Sequence, residues 1–447
     1  MTLSHSITAE TPQQKRSLSY ANTILNLFQQ IMESKQPADN HLANYFREHK
    51  KHGSKDRKII RETLFALFRW WGWIKKVIPE TSRKGVLDTS WLAAMSQCAI
   101  LENHHFQTKN WYAVIESWQQ LSGASIAATE LGETEDHLKR IHTLNPNLSF
   151  TFDELLPQTF WQQLDSLNNT NKSKLIMSLL SRPPVYARAQ NITRKALLKQ
   201  LQQQEILATS VPFFDDAIEI GNSGLNLNGL KAYRNGQLEI QDLASQVIGN
   251  ICDPKPNEHW WDTCSGAGGK ALQLLSLMSQ QDVVSGEVTV SDIRLNALQE
   301  LTKRMSRASY THFTVRPWQS GRLPVAEAAF DGVLVDAPCS CTGTWRRNPD
   351  MRWTDDLGNL EKLTKLQLDI LERSSKAVKI GGKLIYATCS LLPQENEQII
   401  AAFIKNNPEF SLERTRNPFT DEQSLMHTIW PFDANSDGMF VARMSKA

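Results

Sequence analysis

From His259 onward the chain alternates short β-rich runs with amphipathic helical stretches, and this alternation limits the possible folds more than any other feature. Trp260-Trp261-Asp262, Glu287 to Asp292, Thr311 to Val315, Phe330 to Asp336 and Lys383 to Thr388 read as strands. Lys270 to Ser279, Arg294 to Ser306 and Asn359 to Val378 read as the helices between them. Repeated β-α-β units predict a doubly wound parallel sheet with helices on both faces. Ligands of such sheets bind beyond the carboxyl ends of the strands, where the strand order switches. The chemistry is therefore expected in the turns that follow the strands.

At 447 residues the chain has room for about three domains. The first third reads as helical: Ile24, Leu27, Phe28 and Ile31 form one apolar stripe, and Ile60, Leu64, Leu67, Phe68 and Trp71 another. These predict a helical domain over 1–148, ending near Asn145-Pro146-Asn147. A small α/β unit over 149–250 is expected from the strand-like runs Ser181 to Arg188 and Gly236 to Asp242. The doubly wound domain takes 251–447. No run reaches the roughly 18 apolar residues a spanning helix needs, and Met1 to His5 lacks a secretory pattern. Six cysteines are too few for a disulfide framework, so a reducing, cytoplasmic location is expected. A net charge of +2 gives no global preference of sign, so nucleic-acid contact would need a local patch. One exists: Arg47, Lys50, Lys51, Lys55, Arg57, Lys58 and Arg61 face only Glu48 and Asp56, with Arg69-Trp70-Trp71-Gly72-Trp73 following. A phosphate-binding surface and a solvated helix face both account for it.

The strand ends carry the candidate site. The first strand runs into Asp262-Thr263-Cys264-Ser265-Gly266-Ala267-Gly268-Gly269-Lys270 and then a helix, where small residues let a ligand approach free backbone N–H groups. The turn is neither a Walker loop nor the full Gly-x-Gly-x-x-Gly pattern. Asp292 ends the second strand, where a carboxylate can hold ribose hydroxyls or cap the next helix. The fourth strand ends Asp336-Ala337-Pro338-Cys339-Ser340-Cys341-Thr342-Gly343 and the fifth Ala387-Thr388-Cys389-Ser390. If these strands are neighbours, about 4.8 Å apart, Cys339 and Cys389 open onto one cleft. A single cysteine there could be a small buried hydrophobe, but two at adjacent tips point to thiol chemistry. No metal is expected, since no Cys-x-x-Cys pair or nearby histidine completes a ligand set.

These motifs resemble the Nop/Sun family of RNA cytosine-5 methyltransferases, in particular its bacterial small-subunit ribosomal RNA branch. The resemblance rests on Asp336-Ala337-Pro338-Cys339-Ser340, Thr342-Gly343, Arg346-Arg347-Asn348-Pro349-Asp350 and Ala387-Thr388-Cys389-Ser390. Gln241 to Gln246 and Asp437 to Ala442 are similar to segments flanking the family's core, and the helical first third resembles a NusB-like RNA-binding domain. The resemblance implies a class I methyltransferase fold with a Rossmann-like sheet, using S-adenosylmethionine. It implies cofactor contacts from Cys264, Ser265, Gly266, Ala267, Gly268, Gly269 and Lys270, with Asp292 on the ribose and Asp336 shared between cofactor and base. Cys389 falls at the family's nucleophile and Cys339 at its product-releasing cysteine. The implied partner is RNA, most naturally ribosomal, and Arg57, Lys58, Arg61, Arg182, Arg188, Arg346 and Arg347 are the side chains expected to meet it.

Two departures stand out. The family's Cys-Ala-Ala-Pro-Gly-Gly-Lys reads Cys264-Ser265-Gly266-Ala267-Gly268-Gly269-Lys270 here. The acid the family places after its third strand is missing from Val315 to Ser320, leaving backbone groups or stacking on Trp318 for adenine. Carbon 5 of cytosine is a weak nucleophile until a thiolate adds to carbon 6. An ordinary thiol is only a few per cent ionised at neutral pH, so the site is expected to favour the Cys389 thiolate. Two other readings remain: the same activity on transfer RNA, and a non-catalytic RNA-binding assembly factor that keeps the fold.

Overall fold

A computed structural model describes residues 7–447 apart from 105–107, 124–135, 166, 222–225, 281–282, 320 and 356. Met1 to His5 and Ser320, on which two of the expectations above fall, lie outside the described residues. The described chain divides into two compact units, 1–180 with 348–357, and 181–347 with 358–447.

The first unit is helical: α1 (Pro12–Ser34), α2 (Ala38–Glu48), α3 (Ser54–Val77), α4 (Thr89–Leu101), α5 (Lys109–Ser122), α6 (His137–Leu144), α7 (Gln158–Gln163) and α8 (Asn169–Leu179). Thr11 and Gln14 cap α1 reciprocally, with Pro12 in its first turn. Both predicted stripes are buried. They meet through Phe28, whose ring lies 4.7 Å from those of Phe68 and Trp71. Gly72 is required where α3 meets the following chain, since a Cβ there would sit 1.8 Å from the Glu154 carbonyl oxygen. The unit does not stop at residue 148. The Trp73 indole donates to the Thr151 carbonyl, binding the segment that leads to α7 and α8. It also takes in 348–357, distant in sequence, where Asp350 accepts the Ala38 amide and Arg352 donates to the Leu179 carbonyl.

The second unit holds two sheets. In the smaller, β1 (Tyr186–Ala189) lies between β3 (Ala217–Glu219) and β4 (Leu238–Ile240), with β2 (Thr209–Ser210) at the edge. All pairs are antiparallel, and α9 (Arg194–Gln203) and α10 (Lys231–Arg234) accompany them. A small α/β unit was expected over 149–250; these strands and helices run from 181 to α11 (Leu243–Cys252) and belong to the same compact body as the larger sheet.

The larger sheet contains β5 (His259–Asp262), β8 (Glu287–Val290), β9 (Phe313–Val315), β10 (Phe330–Asp336), β11 (Val378–Thr388), β12 (Phe410–Leu412), β15 (Met426–Ile429) and β16 (Met439–Lys446). Its order is β12-β16-β11-β10-β5-β8-β9, with β15 also on β16. The five strands β9, β8, β5, β10 and β11 are parallel, while β16 runs antiparallel to β11. In chain order this is 3-2-1-4-5, so the switch falls between β5 and β10. Small hairpins β6–β7 (Ser279–Gln280, Val283–Val284) and β13–β14 (Thr415–Arg416, Gln423–Ser424) lie outside this sheet. Helices α12 (Gly269–Leu277), α13 (Leu295–Arg307), α15 (Leu360–Ser375) and α16 (Glu397–Asn406) connect the strands, and α14 (Met351–Thr354) belongs to the first unit. Strand β11 starts at Val378, earlier than the sequence suggested, because Gly381-Gly382 forms a kink inside a strand instead of a turn before one. Among the described residues no helix is long and apolar enough to cross a membrane.

Candidate active site

The turn after β5 and the two turns after β10 and β11 converge at the switch point on a cavity of about 810 Å³, within the range of small-molecule sites. Its walls include Cys264, Ser265, Gly266, Ala267, Gly269, Lys270, Asp292, Asp336, Cys339 and Cys389. Gly268 is the one expected cofactor residue absent from the wall. It bends the turn at φ 88°, and a Cβ there would lie 2.6 Å from Leu301 Cγ, so it lets α12 pack on α13.

Asp292 is buried, and its carboxylate accepts the Gly266 amide at 2.9 Å and the Arg294 amide and guanidinium at 2.8 and 3.0 Å. Although burial opposes ionisation, the bonds from Arg294 and Gly266 hold this carboxyl below its usual range. Lys270 donates to Asp336 at 2.7 Å. Burial disfavours its charge, but Asp336 more than restores it. Asp262, buried at the tip of β5, has no full hydrogen bond to either carboxylate oxygen, and burial pushes its pKa up to about 8. The cavity thus contains an orphaned acid suited to a cationic ligand.

The two cysteines meet as expected. β10 and β11 are neighbours, with Asp336 opposite Ala387, and the Cys339 and Cys389 sulfurs lie 3.3 Å apart. Behind them Glu395, fully buried, ties the two turns together. Its carboxylate accepts the Ser340 amide at 2.9 Å, the Ser340 and Ser390 hydroxyls at 2.5 Å each, and the Gln367 amide at 2.9 Å. The Gly343 amide also donates to the Cys389 carbonyl at 2.9 Å.

Cys341 was not singled out in the sequence, yet its sulfur joins the other two, all three lying within 4.8 Å of one another. The Cys-x-Cys spacing was the available signal. Cys341 also differs from the other two in how readily it loses its proton. Hydrogen bonds from Cys339 and Cys389 bring its thiol down to about 4. Cys339 is pushed up by hydrogen bonding to Cys341 and Cys389 and by burial. Cys389 is helped by its bond with Cys339, but Cys341 and burial raise it overall. Mutual hydrogen bonding and burial thus pull the three thiols in opposite directions, lowering Cys341 and raising Cys339 and Cys389.

Other walls were also missed: Ile293 and Leu366 face the cavity while 71% and 42% exposed. Trp318 lines the cavity, donates its indole N–H to the Thr263 carbonyl at 2.7 Å, and carries Arg373 over its ring at 5.0 Å.

The expected RNA-binding side chains divide. Lys58 is exposed on α3. Arg57 is half-buried, donates to the His52 carbonyl and covers Phe46, and Arg61 pairs loosely with Asp39 at 3.7 Å. Arg182 is half-buried. Arg188 and Arg346 are corrections, since both are fully buried and cannot meet RNA. Arg188 is held by Gln241, Gln190 and Asp216, and Arg346 by Ser181, Asn435 and the Ser436 carbonyl. Arg347 is spent on Asp242 at 2.5 Å and Asp437 at 2.7 Å.

Comparison with known proteins agrees with this geometry. Residues 250–445 match the family described as 16S rRNA methyltransferase RsmB/F. The ribosomal RNA small subunit methyltransferase B of Yersinia pestis bv. Antiqua (strain Angola) is 32% identical over 292 residues, 64% of this chain and 62% of the relative. The chain thus spans less than two thirds of the curated relatives it matches. The crystal structure of PH0851 superposes with TM-score 0.72 at 20% identity, covering 98% of this chain and 100% of the other, which supports the fold throughout. That of NSun6 from Pyrococcus horikoshii with SFG gives TM-score 0.57 at 17% identity over 65% of this chain and 98% of its own. Residues 250–445, with their 3-2-1-4-5 sheet and paired thiols at neighbouring strand tips, are thus similar to the RsmB/F methyltransferase family.

Proposed function

We propose that this protein is an S-adenosylmethionine-dependent RNA cytosine-5 methyltransferase acting on small-subunit ribosomal RNA. The observation that carries the reading is the 3.3 Å approach of the Cys339 and Cys389 sulfurs on the wall of the cavity that also contains the 264–270 turn. The cavity suits the cofactor: Asp262 presents carboxylate oxygens without full partners, fitting a ligand with cationic groups, and Asp292 stands where ribose hydroxyls would be held. Bound there, S-adenosylmethionine supplies an electrophilic methyl group. The NSun6 structure named above contains SFG, an analogue of that cofactor.

The chain's own groups do the rest. Cys389 gives up its proton within the thiol cluster and its sulfur bonds to carbon 6 of the cytosine, moving the ring electrons to carbon 5. Asp336, held by Lys270 at 2.7 Å, faces the exocyclic amine and ring nitrogen and stabilises the charge that develops. After methylation the carbon 5 proton leaves, the carbon–sulfur bond breaks, and Cys389 departs as a thiolate. Cys339, at 3.3 Å, assists this elimination. The base must be unpaired to reach the cleft, which favours RNA loops and ends.

Cys389→Ala should abolish methyl transfer while RNA still binds, and residual wild-type turnover would refute the assignment. Cys339→Ala should accumulate a protein–RNA adduct that survives denaturation. Bisulfite sequencing of ribosomal and transfer RNA from cells with and without the gene identifies the target. The missing acid at Arg316-Pro317-Trp318 favours one other reading, an RNA-binding assembly factor that does not turn over. Calorimetry with S-adenosylmethionine separates the two, because absence of binding would leave only the assembly factor.

A further inference from the structure

We infer that Cys339, Cys341 and Cys389 form a three-thiolate site for a soft divalent cation such as zinc. The proposed methyl transfer uses two sulfurs and leaves Cys341 without a task. All three sulfurs lie within 4.8 Å of one another, with Cys339 and Cys389 at 3.3 Å. Tetrahedral zinc with bonds of about 2.3 Å separates its sulfur ligands by about 3.8 Å. That value lies between the 3.3 Å separation and the 4.8 Å limit of the cluster. Among the described residues this is the only group of three or more His, Cys, Asp or Glu side chains drawn this close.

The backbone prepares the third ligand. Cys341 sits at φ 57°, in the left-handed region, immediately before the turn Thr342–Thr344, and its sulfur rests 3.4 Å from the Cys339 carbonyl oxygen. All three cysteines line the cavity, which provides an entry path and leaves a fourth coordination position facing open space. Binding forms three sulfur–metal bonds and releases to water the protons that the sulfurs still hold, those of Cys339 and Cys389 foremost. The resulting group carries one net negative charge and shares its wall with Lys270 and Arg294, which pair with Asp336 and Asp292. Soft thiolate donors select zinc, cadmium or copper(I) over magnesium and calcium. The cation would also occupy the proposed nucleophile and so exclude RNA cytosine. That consequence rests on the proposed function, whereas the binding itself does not.

The test uses the full chain reduced with a phosphine and titrated with cadmium, read by its ultraviolet thiolate charge-transfer absorption. One equivalent should saturate the wild type. Cys341→Ala should weaken binding by at least about tenfold, while Cys252→Ala, whose thiol is buried elsewhere, should match the wild type. Should Cys341→Ala misfold, alkylation of the wild type decides: zinc should protect Cys339, Cys341 and Cys389 together. Unchanged affinity in Cys341→Ala, no charge-transfer band, or protection that omits Cys341 would each overturn the site. None of these measurements reads methyl transfer, so their failure is distinct from failure of the functional reading.

Discussion

The cysteine rim and the arginine set respond to folding in opposite ways. At the rim, position follows from strand register: Val335 faces Tyr386 and Asp336 faces Ala387. Sulfurs a few residues beyond each tip are therefore carried to the same place. The arginines share one chemistry but not one environment. Lys58 beside Arg57 and Arg61 stays at the surface of α3, while Arg188, Arg346 and Arg347 turn inward to partners that include Gln241, Ser436 and Asp437. A short side chain on a strand goes where the backbone sends it. A long guanidinium goes where its acceptors are, and those lie far away in sequence.

Four substitutions would break or sharpen this contrast. Arg347→Ala leaves Asp242 and Asp437 facing each other without their shared cation, and should cost about 3 kcal/mol in urea unfolding. Intact stability with weaker RNA binding would return Arg347 to the RNA surface. Asp262 is the opposite case, a buried acid whose carboxyl oxygens have no full partner. Its folded pKa is raised from 3.8 to about 8, so the folded protein keeps a proton that the unfolded chain has released, and stability falls as pH climbs from about 4 through 8. Asp262→Asn should remove that slope, with its gain in stability largest above pH 8 and absent near pH 4, as melting across pH would show. A parallel pH profile in the variant would refute the orphaned-acid description. Glu395→Gln puts a donor against hydroxyls that now donate, loosening the link between the two turns. It should lower kcat roughly tenfold with little change in KM, whereas an equal loss in both would point to general destabilisation. Lys58→Glu should weaken RNA binding only a few-fold and flatten its salt dependence by about one unit, with the melting temperature unchanged. No change in either would leave the patch as a solvated face.

The alternation of strands and helices, the cavity-lining turn and the paired sulfurs were legible because each depends on local pattern and, for the sulfurs, on the strand neighbours expected of the fold the motifs resemble. Cys341 was passed over although it lies two residues from Cys339. Its convergence depends on a left-handed residue before a tight turn, which residue type alone does not announce. Glu395 was invisible for another reason: in sequence Pro393-Gln394-Glu395-Asn396 reads as an exposed polar loop, and only its four hydrogen bonds show it to be interior. The placement of 348–357 in the helical unit likewise depends on contacts, such as the Trp353 indole on the Phe68 carbonyl, between residues nearly 300 apart. Arg352, fully buried within that insertion, could not have been told from a surface arginine by sequence.

The last strand has a consequence for biosynthesis. β11, whose tip bears Cys389, borrows its second neighbour from Met439–Lys446 along the whole run Lys383 to Thr388. During translation that flank stays open until residue 446 has cleared the ribosomal tunnel, and an unpaired flank is prone to mispairing. A truncation that removes β16 would leave this flank of β11 open and should therefore yield an aggregating product.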